Sequence, residues 1–241
     1  MINDYICVDI ETTGLNPKTD KIIEIGAVRV RNGEITDTFE SFVAPGRELE
    51  ERITALTGIS DEMLQNAPER KEVLPRFLEF AGEDILLGHS VLFDYSFLKR
   101  AAVNEKLTFE RQGIDTLKLA RKFLPELESR SLGFLCKYYQ IEHNAHRALA
   151  DAVATVKLYQ KLEEQFFLEE DFRPAPLIYK VKRETPITKP QKERLYRLLE
   201  LHKLCIEQDE ALSFLLKLEV EKLTRNEASR YTDQLLAKYG R

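Results

Sequence analysis

Three apolar segments near the N-terminus have the composition of β-strands. Residues 4–10, 21–31 and 34–43 are rich in Ile, Val and Phe, which favours extended chain. The sequence Arg-Asn-Gly-Glu at residues 31–34 joins the last two, and Asn-Gly is the strongest short signal for a β-hairpin. A short apolar run at residues 84–87 precedes Gly88 and predicts a further strand.

Helical spacing of apolar positions dominates the following part of the chain. It predicts helices at about residues 69–81, 94–103, 116–124, 131–140 and 146–168. Strands followed by strand–helix units are typical of an α/β fold with a mixed sheet. We therefore expect one domain of this class at residues 1–168.

The composition changes after residue 168. Residues 169–187 contain an acidic run and then Pro174, Pro176 and Pro186 among basic residues, which predicts a linker. Thr188 with Gln191 and Thr224 with Glu227 each have the spacing of a capping box before apolar positions of helical period. With residues 209–222 between them, these signals predict a small all-α module of three short helices at residues 188–241.

Charge is divided unevenly along the chain. The whole sequence has a net charge of −5, whereas residues 1–171 carry −10 and residues 172–241 carry +5. Most of the positive charge lies at residues 173–197, which alone carry +6. Such a segment is typical either of a phosphate-contacting surface or of a solvated linker.

Composition also bears on location. The sequence has neither an apolar stretch long enough to span a bilayer nor a basic N-terminal region of the secretory type, so we expect a cytoplasmic protein without a membrane partner. Cys7, Cys136 and Cys205 are widely spaced among apolar neighbours, which indicates reduced core thiols.

Acidic residues mark the first predicted strand. Side chains alternate along a strand, so Asp9 and Glu11 project from one face while Val8 and Ile10 pack on the other. Two carboxylates on one face favour a bound cation, and their oxygen atoms suit Mg²⁺ or Mn²⁺. Taken alone, the pair is also compatible with a solvated strand end.

Two later segments contain further candidate ligands. Asp94 falls in the first turn of a predicted helix, where a carboxylate can be a metal ligand or a helix cap. His146 and Asp151 are five residues apart, about 140° around a regular helix, so they cannot share one helical face. We therefore expect His146 to lie before the helix, where it is either a base near a metal held by Asp151 or a surface residue.

Taken together, these segments resemble a known family. Asp-Ile-Glu-Thr-Thr-Gly-Leu at residues 9–15, His-Ser-x-x-Phe-Asp at residues 89–94 and His-x-Ala-x-x-Asp at residues 146–151 are similar to the three motifs of the DnaQ-like, DEDDh proofreading exonucleases, the family of the epsilon subunit of bacterial DNA polymerase III. The resemblance covers residues 1–168. It implies an RNase H-like fold, with a mixed five-stranded sheet flanked by helices.

The resemblance also implies roles for individual residues. The metal-binding acids of the family fall on Asp9, Glu11, Asp94 and Asp151, and its general base falls on His146. Its substrate contacts fall on Thr12 and on Leu15, which matches a wedge against the terminal base. Phe93 is a further candidate that could stack on a base, although core packing is the favoured interpretation for it. Ser90 departs from the family, whose members usually carry Asn after the His.

The implied activity is 3′→5′ hydrolysis of DNA to 5′-mononucleotides with two Mg²⁺ or Mn²⁺ ions, in proofreading or repair. Asp9 would bridge both ions, and the substrate would be a single-stranded or frayed 3′ end, with a DNA polymerase subunit as a partner. Two alternatives stay open. One is a 3′→5′ exoribonuclease, because nothing in the sequence reads a 2′-hydroxyl. The other is a catalytically silent nucleic-acid- or polymerase-binding module.

Overall fold

The computed structural model describes residues 2–143, 146–209 and 211–240, and its centre is a mixed sheet. The strands are β1 (Tyr5–Thr12), β2 (Ile22–Arg31), β3 (Glu34–Phe42), β4 (Leu86–Gly88), β5 (Gln112–Asp115) and β6 (Ala175–Pro176). Their order in the sheet is β3-β2-β1-β4-β5-β6. β1 is antiparallel to β2 and parallel to β4, so the strand that carries Asp9 and Glu11 lies inside the sheet.

Helices flank this sheet and form the C-terminal part. They are α1 (Glu51–Thr57), α2 (Asp61–Leu64), α3 (Arg70–Ala81), α4 (Val91–Asn104), α5 (Thr116–Phe123), α6 (Leu132–Tyr138), α7 (Ala148–Phe166), α8 (Glu169–Phe172), α9 (Lys189–Leu201), α10 (Lys203–Glu207) and α11 (Arg225–Tyr239). Short 3₁₀ helices span Ser213–Lys217 and Val220–Lys222. Within the described ranges, no helix is long and apolar enough to cross a membrane.

The predicted fold class is confirmed, with one addition to the sheet. Five strands lie within residues 1–168, and the sixth is the two-residue strand β6, which pairs with β5. The predicted hairpin is present, because Asn32 and Gly33 have φ angles of 52° and 81° and Arg31 pairs with Glu34. Positive φ at both central residues is the geometry for which Asn-Gly is selected.

Two expectations were wrong. The α-helix expected at about residues 209–222 is replaced by 3₁₀ helices at Ser213–Lys217 and Val220–Lys222, from which the buried Leu215 and Val220 face the module's core. The thiol of Cys205 is exposed, whereas Cys7 and Cys136 are buried. Sequence neighbours of Cys205 are apolar, but α10 turns that side chain outward.

Alternation along β1 divides the core between the two faces of the sheet. Ile6, Val8 and Ile10 pack in one apolar cluster, while Tyr5 and Cys7 pack in the other, together with residues of α7. Asp9 and Glu11 continue the second set by the two-residue period of a strand. The carboxylates therefore point to the face that α7 covers.

A glycine allows α7 to approach the sheet closely. Gly26 pairs with Asp9 across β1 and β2. A Cβ atom at Gly26 would lie 2.0 Å from the backbone nitrogen of Leu149, in the first turn of α7. Only the missing side chain leaves room for this turn, which also carries Asp151.

The C-terminal module has its own apolar core but contacts the first domain through polar groups. Leu195, Leu199 and Leu235 lie in this separate core. At the interface, Lys21 forms an ion pair of 2.7 Å with the buried carboxylate of Glu227.

A second ion-pair network crosses the same interface. Asp20 pairs with Arg230 and, at 3.7 Å, with Arg47, and Arg47 also contacts the hydroxyl of Tyr231. The side chains of Asp20 and Arg47 are only 3% and 6% exposed. Paired, buried charges therefore hold the module against the loop that follows β1.

Candidate active site

The pair Asp9 and Glu11 lies on β1 in a poorly solvated setting. Burial, followed by the nearby carboxylates of Asp94 and Asp151, raises the pKa of Asp9 well above its usual value. Burial, followed by Asp151, raises the pKa of Glu11 to about 7. Mutual repulsion of this kind is what a bound cation relieves.

Asp94 reaches the same strand from α4. It lies in the first turn of that helix, is 3% exposed and accepts a hydrogen bond of 3.1 Å from the backbone N–H of Ile10. Burial raises the pKa of Asp94 well above its usual value, although that hydrogen bond opposes the shift. The contact places Asp94 beside the residue that separates Asp9 from Glu11.

Ser90, where family members usually carry Asn, lies in the turn before α4. Ser90 has φ 73°, in the left-handed region that Asn adopts more readily than Ser. Its backbone N–H donates to the carboxylate of Asp115 at 3.0 Å. The His89 ring contacts Thr116 Oγ1 at 2.9 Å and the carbonyl of Arg130 at 2.8 Å. The backbone N–H of Ser90 and the ring of His89 thus hold this turn in the absence of an Asn side chain.

Asp151 and His146 meet at the start of α7. Asp151 is buried in the first helical turn, while His146 is exposed and precedes the N-cap residue Arg147. The backbone N–H of His146 donates to Asp151 Oδ2 at 3.2 Å. Glu11, His146 and Asp151 each offer a polar atom within 4.8 Å of the others, as metal ligands would. Asp9 and Asp94 adjoin this group on β1 and α4.

Two features near Asp151 escaped sequence reasoning. The Nε2 atom of His143 contacts Asp151 Oδ1, so both carboxylate oxygens are engaged. Glu24, fully buried on β2 opposite Glu11, accepts from Arg147 Nε at 3.1 Å and from the backbone N–H of Ala148 at 2.9 Å. Glu24 therefore ties the start of α7 to the sheet. The Glu24 contacts span more than 120 residues, and His143 lies outside the three motifs, so motif spacing gave no signal for either feature.

The three residues expected to contact substrate have different environments. Leu15 is 84% exposed on the loop after β1. Thr12 is buried and its hydroxyl donates to the carbonyl of Gly14 at 2.7 Å, which shapes that loop. Phe93 is half-buried against Phe97, with ring centroids 5.1 Å apart. Leu15 is thus free to contact a ligand, whereas Thr12 and Phe93 also have structural contacts.

Comparison with known families defines the class to which this fold and site belong. The exonuclease family model RNase_T matches residues 6–159, from β1 into α7. The match covers more than half of the chain, so the chain belongs to this DnaQ-like exonuclease family. The sequence resemblance to that family is therefore confirmed.

Two bacterial proteins are similar in sequence to about two thirds of this chain. Over 164 residues the chain is 43% identical to a PolC-type DNA polymerase III of Caldanaerobacter subterraneus subsp. tengcongensis, a match that covers 67% of this chain. It is 44% identical over 162 residues to the PolC-type DNA polymerase III of Bacillus subtilis, covering 66% of this chain. The matches span only 12% and 11% of those two relatives.

Two solved exonuclease structures are similar in fold to this chain. Exonuclease X in complex with 5′ overhanging duplex DNA superposes with a TM-score of 0.56 at 25% identity, over 70% of this chain and 96% of that one. An Escherichia coli exonuclease I–single-stranded DNA complex superposes with a TM-score of 0.63 at 20% identity, over 69% of this chain and 41% of that one. The second likeness concerns the fold alone.

Proposed function

We propose that this protein is a metal-dependent 3′→5′ exonuclease that hydrolyses DNA to 5′-mononucleotides. The observation that carries the proposal is the convergence of Glu11, His146 and Asp151 within 4.8 Å, beside Asp9 and Asp94. Burial raises the pKa values of the Asp9, Glu11 and Asp94 carboxyls, and the oxygen atoms of these groups and of Asp151 are ligands that suit Mg²⁺ or Mn²⁺. Family membership supports nuclease chemistry at this position.

Each residue of the site would have a distinct role in hydrolysis. Asp9, Glu11, Asp94 and Asp151 would hold two divalent ions, which when bound supply charge stabilisation to the attacking and leaving oxygens. His146, exposed at the edge of the group, would accept the proton of the attacking water as general base. Leu15 would contact the terminal base at the 3′ end.

DNA is the favoured substrate, and a polymerase is the favoured partner. Both relatives are DNA polymerases by name, and exonuclease X was solved with DNA. We propose that residues 1–168 perform hydrolysis, that 169–187 connect, and that 188–241 form a separate module. The connecting segment is not a free linker, because Phe172 is buried in the first domain's core.

The proposal is tested by hydrolysis of 5′-labelled single-stranded DNA, mismatched duplex DNA and RNA, with Mg²⁺ and with EDTA. We expect a Mg²⁺-dependent ladder that shortens from the 3′ end, faster on DNA than on RNA. Preference for RNA would favour an exoribonuclease. Binding without hydrolysis of any substrate would favour a silent module.

Substitution of the ligands provides the second test. Asp9→Ala and Asp151→Ala should abolish hydrolysis while the metal-free protein melts at an unchanged or higher temperature, because each removes repulsion without emptying an apolar core. Glu126→Ala removes an exposed acid that belongs to none of the three motifs and serves as the matched control. A large fall in melting temperature for the two ligand variants would show that these acids are structural.

A further inference from the structure

A basic cleft lies between the first domain and the C-terminal module. It has a volume of about 810 Å³, and its walls include Lys18, Lys180, Lys182, Arg183 and Arg225. All five side chains belong to exposed residues. None of the five forms an ion pair with another residue in the described part of the chain. Five uncompensated cations therefore face one concave surface.

The acidic residue in the cleft wall is already neutralised. Glu184 pairs with the buried Arg100 of α4 at 3.0 Å, and its backbone N–H donates to Asn104 at 2.9 Å. The two sides of the cleft are also joined, because the backbone N–H of Arg225 donates to the carbonyl of Thr185 at 3.0 Å. These contacts hold the backbone at Glu184 and Arg225 in place, so the two sides of the cleft stay together.

Two elements of the fold, the loop after β1 and the helix α4, extend from the candidate active site to the cleft. Lys18 lies on the loop that begins after β1 and carries the exposed Leu15. Arg100 lies six residues after Asp94 on α4, which corresponds to about 9 Å along a helix axis. A strand whose 3′ end lies against Leu15 can thus continue past Lys18 into the cleft.

The charge distribution indicates what the cleft binds. Residues 1–171 carry a net charge of −10, so most of the first domain repels a polyanion. The cleft offers cations together with the neutral side chains of Asn226 and Ser229, which can donate to phosphate oxygens. A chain of regularly spaced phosphates fits several cations arranged along one groove.

We propose that this cleft binds the sugar–phosphate backbone of single-stranded DNA, upstream of the nucleotide that is removed. The inference rests on the proposed exonuclease function for the direction of the strand. It assigns a binding role to residues that no motif of the exonuclease family contains, since residues 180–185 and Arg225 lie beyond the family match at 6–159.

The test compares two variants of equal charge change in the full-length chain. The cleft variant is Lys182→Gln with Arg183→Gln and Arg225→Gln. The control variant is Lys189→Gln with Arg194→Gln and Arg197→Gln, three exposed cations of α9 that do not line the cleft. Fluorescence anisotropy with labelled oligothymidylates of 3 to about 20 nucleotides is measured in EDTA, so that no hydrolysis occurs. Thermal melting confirms that both variants are folded.

We expect the cleft variant to bind the long strand at least tenfold more weakly at about 50 mM salt, with little change for the trinucleotide. Its plot of log affinity against log salt should be shallower by about 2, since three lost contacts to a single strand each contribute about 0.7. The control variant should match the wild type. Equal affinities for the two variants at every length and salt concentration would overturn the proposal.

Two further measurements distinguish binding of DNA from binding of RNA, and the binding proposal from the exonuclease proposal. An oligouridylate of the same length shares the phosphodiester backbone, and binding of RNA without binding of DNA would overturn the assignment to DNA. Hydrolysis by the wild type is measured separately with Mg²⁺ on the p-nitrophenyl ester of thymidine 5′-monophosphate, which is too small to reach the cleft. Failure there would overturn the exonuclease proposal and leave the binding result standing.

Discussion

The carboxylate of Asp94 accepts a hydrogen bond of 3.1 Å from the backbone N–H of Ile10, 84 residues away in the sequence. Ile10 lies between Asp9 and Glu11, so this one contact fixes α4 relative to both acids of β1. Asp94 thus has a structural contact as well as a proposed metal-binding role. Two substitutions can distinguish the effects of these two roles.

Asp94→Asn retains a hydrogen-bond acceptor but loses the charge, whereas Asp94→Ala loses both. We expect both variants to be inactive. The alanine variant should be less stable than the asparagine variant by about 1–3 kcal/mol, the cost of leaving a buried N–H unpaired. Urea denaturation in EDTA measures this difference, and equal stabilities would show that the bond to Ile10 contributes nothing.

The metal-free protein should lose stability as pH rises. The pKa of Glu11 in the folded state is about 7, above its ordinary value of 4.5, and those of Asp9 and Asp94 are also raised. The folded state therefore retains protons that the unfolded chain releases, so its stability falls between about pH 4.5 and pH 7.

Melting temperatures in EDTA from pH 5 to pH 8 measure this loss. Mg²⁺ should restore stability at pH 8, because bound cations favour the ionised carboxylates. Glu11→Gln should flatten the dependence in EDTA, and Glu126→Gln should not. An identical slope in wild type and Glu11→Gln would contradict the raised pKa of Glu11.

Loss of the His146 side chain should affect turnover much more than metal affinity. The contact of His146 with Asp151 uses the backbone N–H, which a substitution retains. We expect His146→Ala to reduce turnover by roughly 10²–10⁴-fold and to flatten the acidic limb of the pH–rate profile. Because His146 has φ 66°, His146→Asn provides a variant better suited to that backbone. Near-full activity of both with an unchanged profile would make His146 a surface residue.

The interface charges should contribute unequally to stability. Asp20→Ala leaves the buried Arg47 without its anion and should cost about 3–5 kcal/mol. Arg230→Ala should cost less than half as much, because Arg230 is 21% exposed and Asp20 keeps Arg47 as a partner. Urea denaturation of both variants and of the double variant tests this order. Equal, small losses would indicate a weakly held module.

Leu15→Ala should affect substrate use without affecting folding. At 84% exposure the side chain contributes little to stability, and we expect a change within about 0.5 kcal/mol. If Leu15 contacts the terminal base, kcat/KM on single-stranded DNA should fall roughly tenfold, equivalent to about 1.4 kcal/mol. Leu204→Ala removes a leucine of 74% exposure from α10 and should leave kcat/KM unchanged. Equal kinetics for the two variants would remove Leu15 from the substrate site.

Local patterns predicted most of the central fold, while tertiary context determined the rest. The hairpin at residues 31–34 and the strand β1 follow from turn chemistry and alternation. The four residues of β5 have no such pattern, and their strand exists because β4 and β6 lie on either side. The 3₁₀ turns after residue 212 likewise depend on burial against α9 and α11, which the apolar spacing does not reveal.

In the candidate active site, too, local motifs identified some residues, and only the tertiary structure identified the others. Motif order identified Asp9, Glu11, Asp94, His146 and Asp151 as candidates, and the structure brings them to one end of β1 and the adjoining helices. The pairing of Glu24 with Arg147 spans 123 residues and involves ordinary charged residue types. Such contacts become visible only when the chain is folded, although they position the residues that the motifs name.

Gly26 carries no functional group, yet the width of the proposed ion-binding site depends on it. The first turn of α7 touches β2 where Gly26 has only a hydrogen atom, and Asp151 belongs to that turn. A methyl group at Gly26, which pairs with Asp9, would push the first turn of α7 away from β2. A survey of active-site residues by chemical type would overlook this position. The spacing between Asp151 and the acids of β1 is thus set partly by a residue that has no side chain.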